Sequence, residues 1–509
     1  MSPSDRRAVG VGALVAASWA NVSLFDTWQG LFDPAHWSAM GVRSSAEVYW
    51  TAVLVVLFAA AIGALAAGMR DKVPLCVRVP IGDVSLLAAL LSLCAVFWRV
   101  NGGMLTTVHS VLRSLGASER LGASLATLLV GSLVVRHWRT CMRAGRRILL
   151  LLSPFLVVTL GRASVAMSRV DFAELDRTVP SRGIAEPRAG PRVIIVVFDE
   201  LDYTHAFSAR PADVHLPTFD QLRSESVFAT DVAAPAGATE LSLPSYILGQ
   251  PVDSVTSQLP HSEEVRYRGE LVPRDIGGES TIFHDAARLG APSELVGFYL
   301  PYCHWSFAAL LDRCTSLPFT WGGVFDGRVG IGASVVRQLL SLFVVGNRRA
   351  QIGRIEEATA ASVRAVSDSS RRLVFLHLPI PHFPPVWDAR HGHYTVTQIG
   401  VGAYFDNLAL ADGILARLRT AIDRGATAQP TFLIVTSDHP WRSGPINGRV
   451  GGKIPFIVRT PSAERIEVSS HVDAVRLRAL TTQLLGGKLT TAREVAAWLA
   501  PPQISPFTK

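Results

Sequence analysis

The sequence predicts a two-part chain: an N-terminal bundle of about five transmembrane helices, then an α/β domain built on a mostly parallel sheet. Three observations carry this. At 509 residues the chain exceeds one ordinary domain. Its mean hydropathy of +0.29 is high for a soluble enzyme and low for a protein that lies wholly in a membrane, so the chain is uneven. Hydrophobic residues supply 49% and charged residues 18%, below the roughly 25% charged of soluble chains, which excludes disorder and collagen-like repeats.

The apolar part comes first. Nearly uncharged runs lie at residues 8–30, 47–69, 81–98, 121–135 and 148–167, each near the roughly 20 residues that cross hydrocarbon. The fourth is short and needs its flanks to reach the interface. The first is interrupted by Asn21 and Ser23, yet it is too long for the apolar core of a signal peptide and no small-residue cleavage site follows, so it reads as an anchor. A transmembrane region over 1–168, a connecting helix and linker over 169–190 and an exported domain over 191–509 are the expected divisions.

Loop charge sets the orientation. With the N-terminus inside, the cytoplasmic side carries Arg6, Arg7, Arg70, Lys72, Arg78, Arg136, Arg139, Arg143, Arg146 and Arg147, and the other side only Arg43, Arg99, Arg113 and Arg120. Basic residues favour the cytoplasmic face, so everything after residue 168 is expected outside the membrane. Much of the net charge of +8 is then topological, and no basic stripe with interleaved aromatics suggests a nucleic-acid partner. An exported domain also permits Cys303 and Cys314 to pair.

Past the Pro/Gly-rich linker at 178–192 the pattern alternates. RVIIVVF at Arg192–Phe198 is a buried-strand run, Leu216–Ser224 opens a helix, and Ile282–Gly290 is a helix that leads to a strand at Glu294–Phe298. Leu373–Leu378 is another strand, Tyr404–Arg424 a long helix with Leu408, Ala411, Leu415, Leu418 and Ile422 on one face, and TFLIVT at Thr431–Thr436 a further strand. Strands separated by helices imply a parallel sheet covered on both faces.

Ligands of such sheets collect at the carboxyl ends of strands. RVIIVVF ends in Asp199 and Glu200; TFLIVT ends, after Ser437, in Asp438 and His439. A single acid after a strand is ordinarily a cap or turn former. Two such pairs at two strand ends instead make a metal shell, and carboxylates with one imidazole suit one divalent metal, zinc or manganese. Between them the small-residue stretch Ala234–Ala238 delivers Thr239 to a helix N-terminus, where unpaired N–H groups favour an anion; a plain capping threonine is the simpler reading of that residue alone. His377, one residue short of a strand end, reads as a packing or hydrogen-bonding histidine. His391 and His393 read as solvated loop residues.

The block LPTFDQLRSESVFATDVAAPAGATELSLPSYILG, Leu216–Gly249, resembles the sulfatase branch of the alkaline phosphatase superfamily, with Thr239 at the nucleophile position. Asp199 and Glu200 resemble that family's first metal-binding strand end, and Ser437, Asp438 and His439 its Asp-His metal motif. HLPIPHFPPVW resembles the segment that places a substrate-binding histidine, here His382; the helix with Tyr404 and Asp412 follows it, and GGKIPFIVRTP brings Lys453 to the substrate side. Pro440 replaces the usual Gly after the Asp-His pair, and no acidic residue follows close behind. The resemblance implies Thr239 as nucleophile, Asp199, Glu200, Thr239, Asp438 and His439 around the metal, and His382 and Lys453 on the substrate. Threonine cannot supply the formylglycine of sulfatases, so the chain is most similar to membrane phosphoethanolamine transferases and lipoteichoic acid synthases, which also carry about five spans. That likeness implies transfer of a phospholipid-derived headgroup, through a phospho-threonine, to an envelope lipid or glycan acceptor, by a multi-pass protein of a bacterial inner membrane whose catalytic domain is extracytoplasmic; a monomer is expected. A phosphoester hydrolase of the same fold and a non-catalytic lipid sensor are the alternatives.

Overall fold

The computed structural model describes residues 3–32, 46–68, 136–169, 188–259, 262–318, 330–340, 344–398, 402–425, 429–442 and 452–500, with isolated positions between 122 and 183. The chain divides into two compact units.

The first unit contains helices α1 (Pro3–Phe32), α2 (Ala46–Gly68), α3 (Trp138–Leu151) and α4 (Phe155–Arg169). Two stretches, Pro3–Phe25 and Trp50–Gly68, are long and apolar enough to cross a membrane. The run expected to be one span at 148–167 is broken: Arg143–Leu151 and Phe155–Val165 meet at 40°. Pro154 sits at the break, where it can donate no helical hydrogen bond. Among the described residues there are thus two clear apolar helices, or three if the bent pair counts as one; of the five expected spans, the one at 81–98 and all but isolated positions of 121–135 lie outside the described residues. Helices α1 and α2 approach to backbone contact. A Cβ on Gly12 would stand 2.5 Å from the Gly63 carbonyl oxygen, and one on Gly63 would overlap the Gly12 carbonyl. Ala16 and Ala67, one turn on, complete a small-residue seam of the kind that joins helices in lipid. Asn21 and Ser23, which interrupt the first apolar run, are buried rather than facing outward.

The second unit is a three-layer α/β/α domain. Its sheet has eight strands: β1 (Arg192–Asp199), β2 (Val227–Ala229), β3 (Ser293–Tyr299), β4 (Arg313–Pro318), β5 (Leu373–Pro381), β6 (Thr431–Ser437), β7 (Phe456–Arg459) and β8 (Ile466–Val468). Their order is β8-β2-β7-β6-β1-β5-β3-β4. Five neighbours, β6 to β4, run parallel, and only β7 pairs antiparallel with both its neighbours. Every residue of β1 is buried, as its unbroken apolar run requires of a central strand covered on both faces.

Alternation along β1 sorts the core. Val193, Ile195 and Val197 face the layer of α5 (Thr239–Leu248), α6 (Ile282–Arg288), α7 (Leu477–Leu485) and α8 (Ala492–Leu499). Ile194, Val196 and Phe198 face α9 (Pro217–Ser224), α10 (Val344–Ser367) and α11 (Gly402–Arg424). The apolar face expected on Tyr404–Arg424 is the face that α11 buries. Asp412 on that helix accepts from the backbone N–H groups of Thr218 (3.2 Å) and Phe219 (2.8 Å), so it caps α9. Cys303 and Cys314 are joined by a disulfide, with Cα atoms 5.7 Å apart.

Candidate active site

Strand register assembles the site. Strands β1 and β6 run parallel with Phe198 opposite Ser437, so their next residues, Asp199 and Asp438, emerge side by side. On the other side of β1, Val197 is opposite His377 of β5, which brings that imidazole beneath the same edge. Ligand atoms of Asp199, His377 and Asp438 all lie within 4.8 Å of one another, and all three residues are buried. His377 is therefore the residue that the sequence reading assigned to packing and the fold places in the cluster.

The loops behind these strands are fastened tightly. Ser437 Oγ lies 2.9 Å from the Phe198 carbonyl and 2.8 Å from the His439 carbonyl, with one proton to serve them, and accepts from the Leu201 N–H (2.8 Å); the Tyr246 hydroxyl donates to the Ser437 carbonyl (2.7 Å). Glu200 has φ of 65°, a left-handed conformation costly for a side chain larger than glycine. It is held there from both ends: its N–H donates to Asp438 Oδ1 (3.0 Å), and its carbonyl accepts from the Tyr404 hydroxyl (2.8 Å). Tyr404 stacks on Trp441 with ring centroids 4.0 Å apart.

Thr239 is the first residue of α5, and Ala238 occupies the capping position. Its hydroxyl therefore does not cap the helix. It donates to Asp438 Oδ2 at 2.7 Å and lies 3.3 Å from His439 Nε2, with the residue 5% exposed. His439 Nε2 is also 3.9 Å from Asp199 Oδ1.

Both histidines present the same nitrogen. His377 Nδ1 lies 3.0 Å from the Phe298 carbonyl, and His439 Nδ1 lies 3.0 Å from the Pro440 carbonyl. A carbonyl only accepts, so each Nδ1 carries the proton and each Nε2 offers a lone pair. Among the described residues, His377 Nε2 and Asp199 Oδ1 are buried with no hydrogen-bond partner. Burial pushes His377 down to about 4, which leaves it neutral. Burial, and then the charges of Asp438 and Glu200, push the Asp199 carboxyl well above the ordinary carboxylate range. Burial also opposes ionisation of Asp438, but His439, His377 and the hydrogen bonds from Thr239 and Glu200 bring its carboxyl below the ordinary value. Carboxyl oxygens and imidazole lone pairs that converge in a buried place fit a divalent cation, which would stand in for the proton that burial and the neighbouring charges keep on Asp199.

Other residues named from the sequence lie as follows. The Glu200 carboxylate accepts from Arg442 Nε at 3.1 Å and stands 4.0 Å from His382 Nε2, which in turn is 3.4 Å from an Arg442 terminal nitrogen. Lys453 pairs with Asp231 at 3.0 Å. His391 is exposed and pairs with Asp388 at 2.8 Å, and His393 is exposed. Arg442 had no signal in the sequence, because its partner Glu200 is remote along the chain.

No protein-family model and no curated protein matches the chain. Solved structures do. The PsFucS1 sulfatase from Pseudoalteromonas sp. is 15% identical, aligned over 61% of this chain and 72% of that one with a TM-score of 0.41. A protein in the alkaline phosphatase superfamily from Vibrio parahaemolyticus is 11% identical over 60% and 69% of the two chains, with a TM-score of 0.37. The C-terminal periplasmic domain of EcEptC from Escherichia coli is 11% identical over 60% and 86%, with a TM-score of 0.38.

Proposed function

We propose that the chain is a membrane-anchored, metal-dependent phosphotransferase that moves a phosphoethanolamine- or phosphoglycerol-type headgroup from a phospholipid, through a phospho-threonine, to an envelope lipid or glycan. The observation that carries this is the buried Thr239 hydroxyl, 2.7 Å from Asp438 and beside the Asp199–His377–Asp438 cluster. Asp199, His377 and Asp438, with His439 and the Thr239 oxygen alongside, would hold zinc or manganese. A bound divalent cation supplies Lewis acidity, lowering the pKa of the hydroxyl and drawing charge from the phosphoryl oxygens.

Asp438 Oδ2 receives the hydroxyl hydrogen bond and orients Thr239 for attack on phosphorus. As the Oγ–P bond forms, the hydroxyl proton passes to Asp438 Oδ2 and from there to solvent, the P–O bond to diacylglycerol breaks, and the leaving oxygen takes up a proton from solvent. The first N–H groups of α5 stand where the phosphoryl charge develops. Glu200 aims the Arg442 guanidinium next to His382, which places two cationic or donor side chains for the nonbridging oxygens. In the second half, an acceptor hydroxyl attacks the same phosphorus and gives its proton to solvent, the P–Oγ bond breaks, and the Thr239 oxygen regains its proton through Asp438. The multi-pass anchor in the inner membrane keeps the domain where its donor lipid is, raising the effective concentration.

Incubation of the purified full-length protein with labelled phosphatidylethanolamine or phosphatidylglycerol tests this. A headgroup-sized mass addition on Thr239, and product only when an acceptor is supplied, is the expected result. Unchanged lipid turnover in Thr239→Ala would sink the nucleophile assignment, and release of free headgroup phosphate without an acceptor would make the enzyme a hydrolase.

A further inference from the structure

The sequence of the exported domain is interrupted, between β4 and α10, by a ten-residue helix, Ile331–Leu340, that belongs to the same compact unit as α1 and α2. Its amphipathicity is inverted. The side chains it buries are polar: Ser334 is 2% exposed and Gln338 0%. The large side chains it exposes are apolar, Ile331 at 41% and Val336 at 54%. A helix on a water-soluble domain does the reverse.

The buried polar edge is bonded to both apolar helices. Gln338 Oε1 accepts from the Trp28 indole of α1 at 3.1 Å, and Gln338 Nε2 donates to Thr51 Oγ1 of α2 at 2.5 Å. Ser334 Oγ adds a longer contact to the same threonine at 3.4 Å. Amide and hydroxyl partners between helices are how segments associate where lipid removes the hydrophobic drive. Trp28 lies near the end of α1 and Thr51 near the start of α2, so both contacts fall on the side of the membrane to which loop charge assigns the exported domain. Helix α2 likewise exposes large apolar side chains on the turns around Thr51, namely Trp50, Leu54 and Leu57. Ten residues of helix span roughly 15 Å, about half the hydrocarbon thickness.

We infer that Ile331–Leu340 is embedded in the outer half of the bilayer, its polar edge clamped by Trp28 and Thr51 and its apolar edge against phospholipid acyl chains. The exported chain thus re-enters the lipid after β4 and leaves it again before completing its sheet. This rests on the membrane-anchor reading of α1 and α2.

The test uses the full chain with Cys76→Ser, Cys94→Ser and Cys141→Ser, keeping the Cys303–Cys314 bridge. Single cysteines at Val336→Cys and, independently, Ile331→Cys carry a polarity-sensitive fluorophore in phosphatidylcholine vesicles with or without acyl-chain bromine. Leu57→Cys on α2 is the lipid control, and Leu271→Cys, 92% exposed in the other unit, the water control. Quenching by brominated lipid at Val336 and Ile331 to within about twofold of Leu57, with none at Leu271, is the expected result. Labels at Val336 and Ile331 that answer to aqueous iodide and ignore brominated lipid while Leu57 is quenched would overturn the inference and spare the anchor. Absence of quenching at Leu57 as well would overturn both.

Discussion

Helix α11 and helix Ile331–Leu340 are built from similar residue types turned opposite ways. The first buries Leu408, Leu415, Leu418 and Ile422 and exposes Arg417, Thr420, Asp423 and Arg424. The second buries Ser334 and Gln338 and exposes Ile331 and Val336. Each uses buried polar side chains as fastenings, α11 through the Asp412 cap and the other through Trp28 and Thr51. The difference reports the surrounding medium: water rewards an apolar inside, whereas hydrocarbon leaves the inside to small residues and hydrogen bonds. The seam between α1 and α2, glycine against glycine, follows the second rule, and the two apolar layers around β1 follow the first.

Substitutions can break this contrast or sharpen it. The largest effect is expected at the site. Thr239→Ala should lower lipid turnover by about a thousandfold or more while leaving the thermal transition of the sheet domain within a degree or two, as assays of turnover and melting will show. Tyr404→Phe removes the hydroxyl that holds Glu200 in its left-handed conformation; metal titration should find affinity down by roughly ten- to a hundredfold, the scale of lost outer-layer support. In the helical unit, Gly63→Leu forces a side chain into the Gly12 carbonyl and should cost about 1–3 kcal/mol, read as earlier loss of fold on heating in detergent. Gly161→Leu, with open space around it, should be neutral by the same measure.

The smallest expected effect depends on pH. Glu494 closes a capping box at Thr491, and hydrogen bonds from the backbone of Thr490 and Thr491 hold its carboxyl down at about 2 against an ordinary 4.5. A folded value below the unfolded one contributes stability that is complete above the ordinary value and is lost as pH falls through the folded value. Glu494→Gln should therefore melt lower than the parent at pH 7, and the gap should close as pH approaches 2.

Much of the site was legible because parallel sheets deliver their chemistry at strand ends, where RVIIVVF stops at Asp199 and TFLIVT at Asp438. His377 was not, since it sits within a buried strand between two leucines and enters the cluster only through its register with Val197. Arg442 was hidden for a similar reason: its role depends on a partner 242 residues away. The segment GGKIPFIVRTP entered only through its resemblance to a family motif, and the antiparallel direction of its strand, Phe456–Arg459, is set by the path of the chain and not by composition. Inverted helices escape sequence reading most thoroughly, because serine and glutamine four residues apart look like a wet face until their partners are known.

The disulfide lies closer to the chemistry than its sequence position suggests. Cys303 follows Tyr302, whose hydroxyl is 3.0 Å from His377 Nδ1. The segment that steadies this imidazole is thus stapled by a bond that the cytosol does not let form. If the domain is exported as proposed, a nascent chain still on the ribosome's side of the membrane has all its site residues but not this brace, so competence becomes a matter of geography, reached only after export. Weaker metal retention after mild reduction, with the sheet still folded by circular dichroism, is the sign to look for.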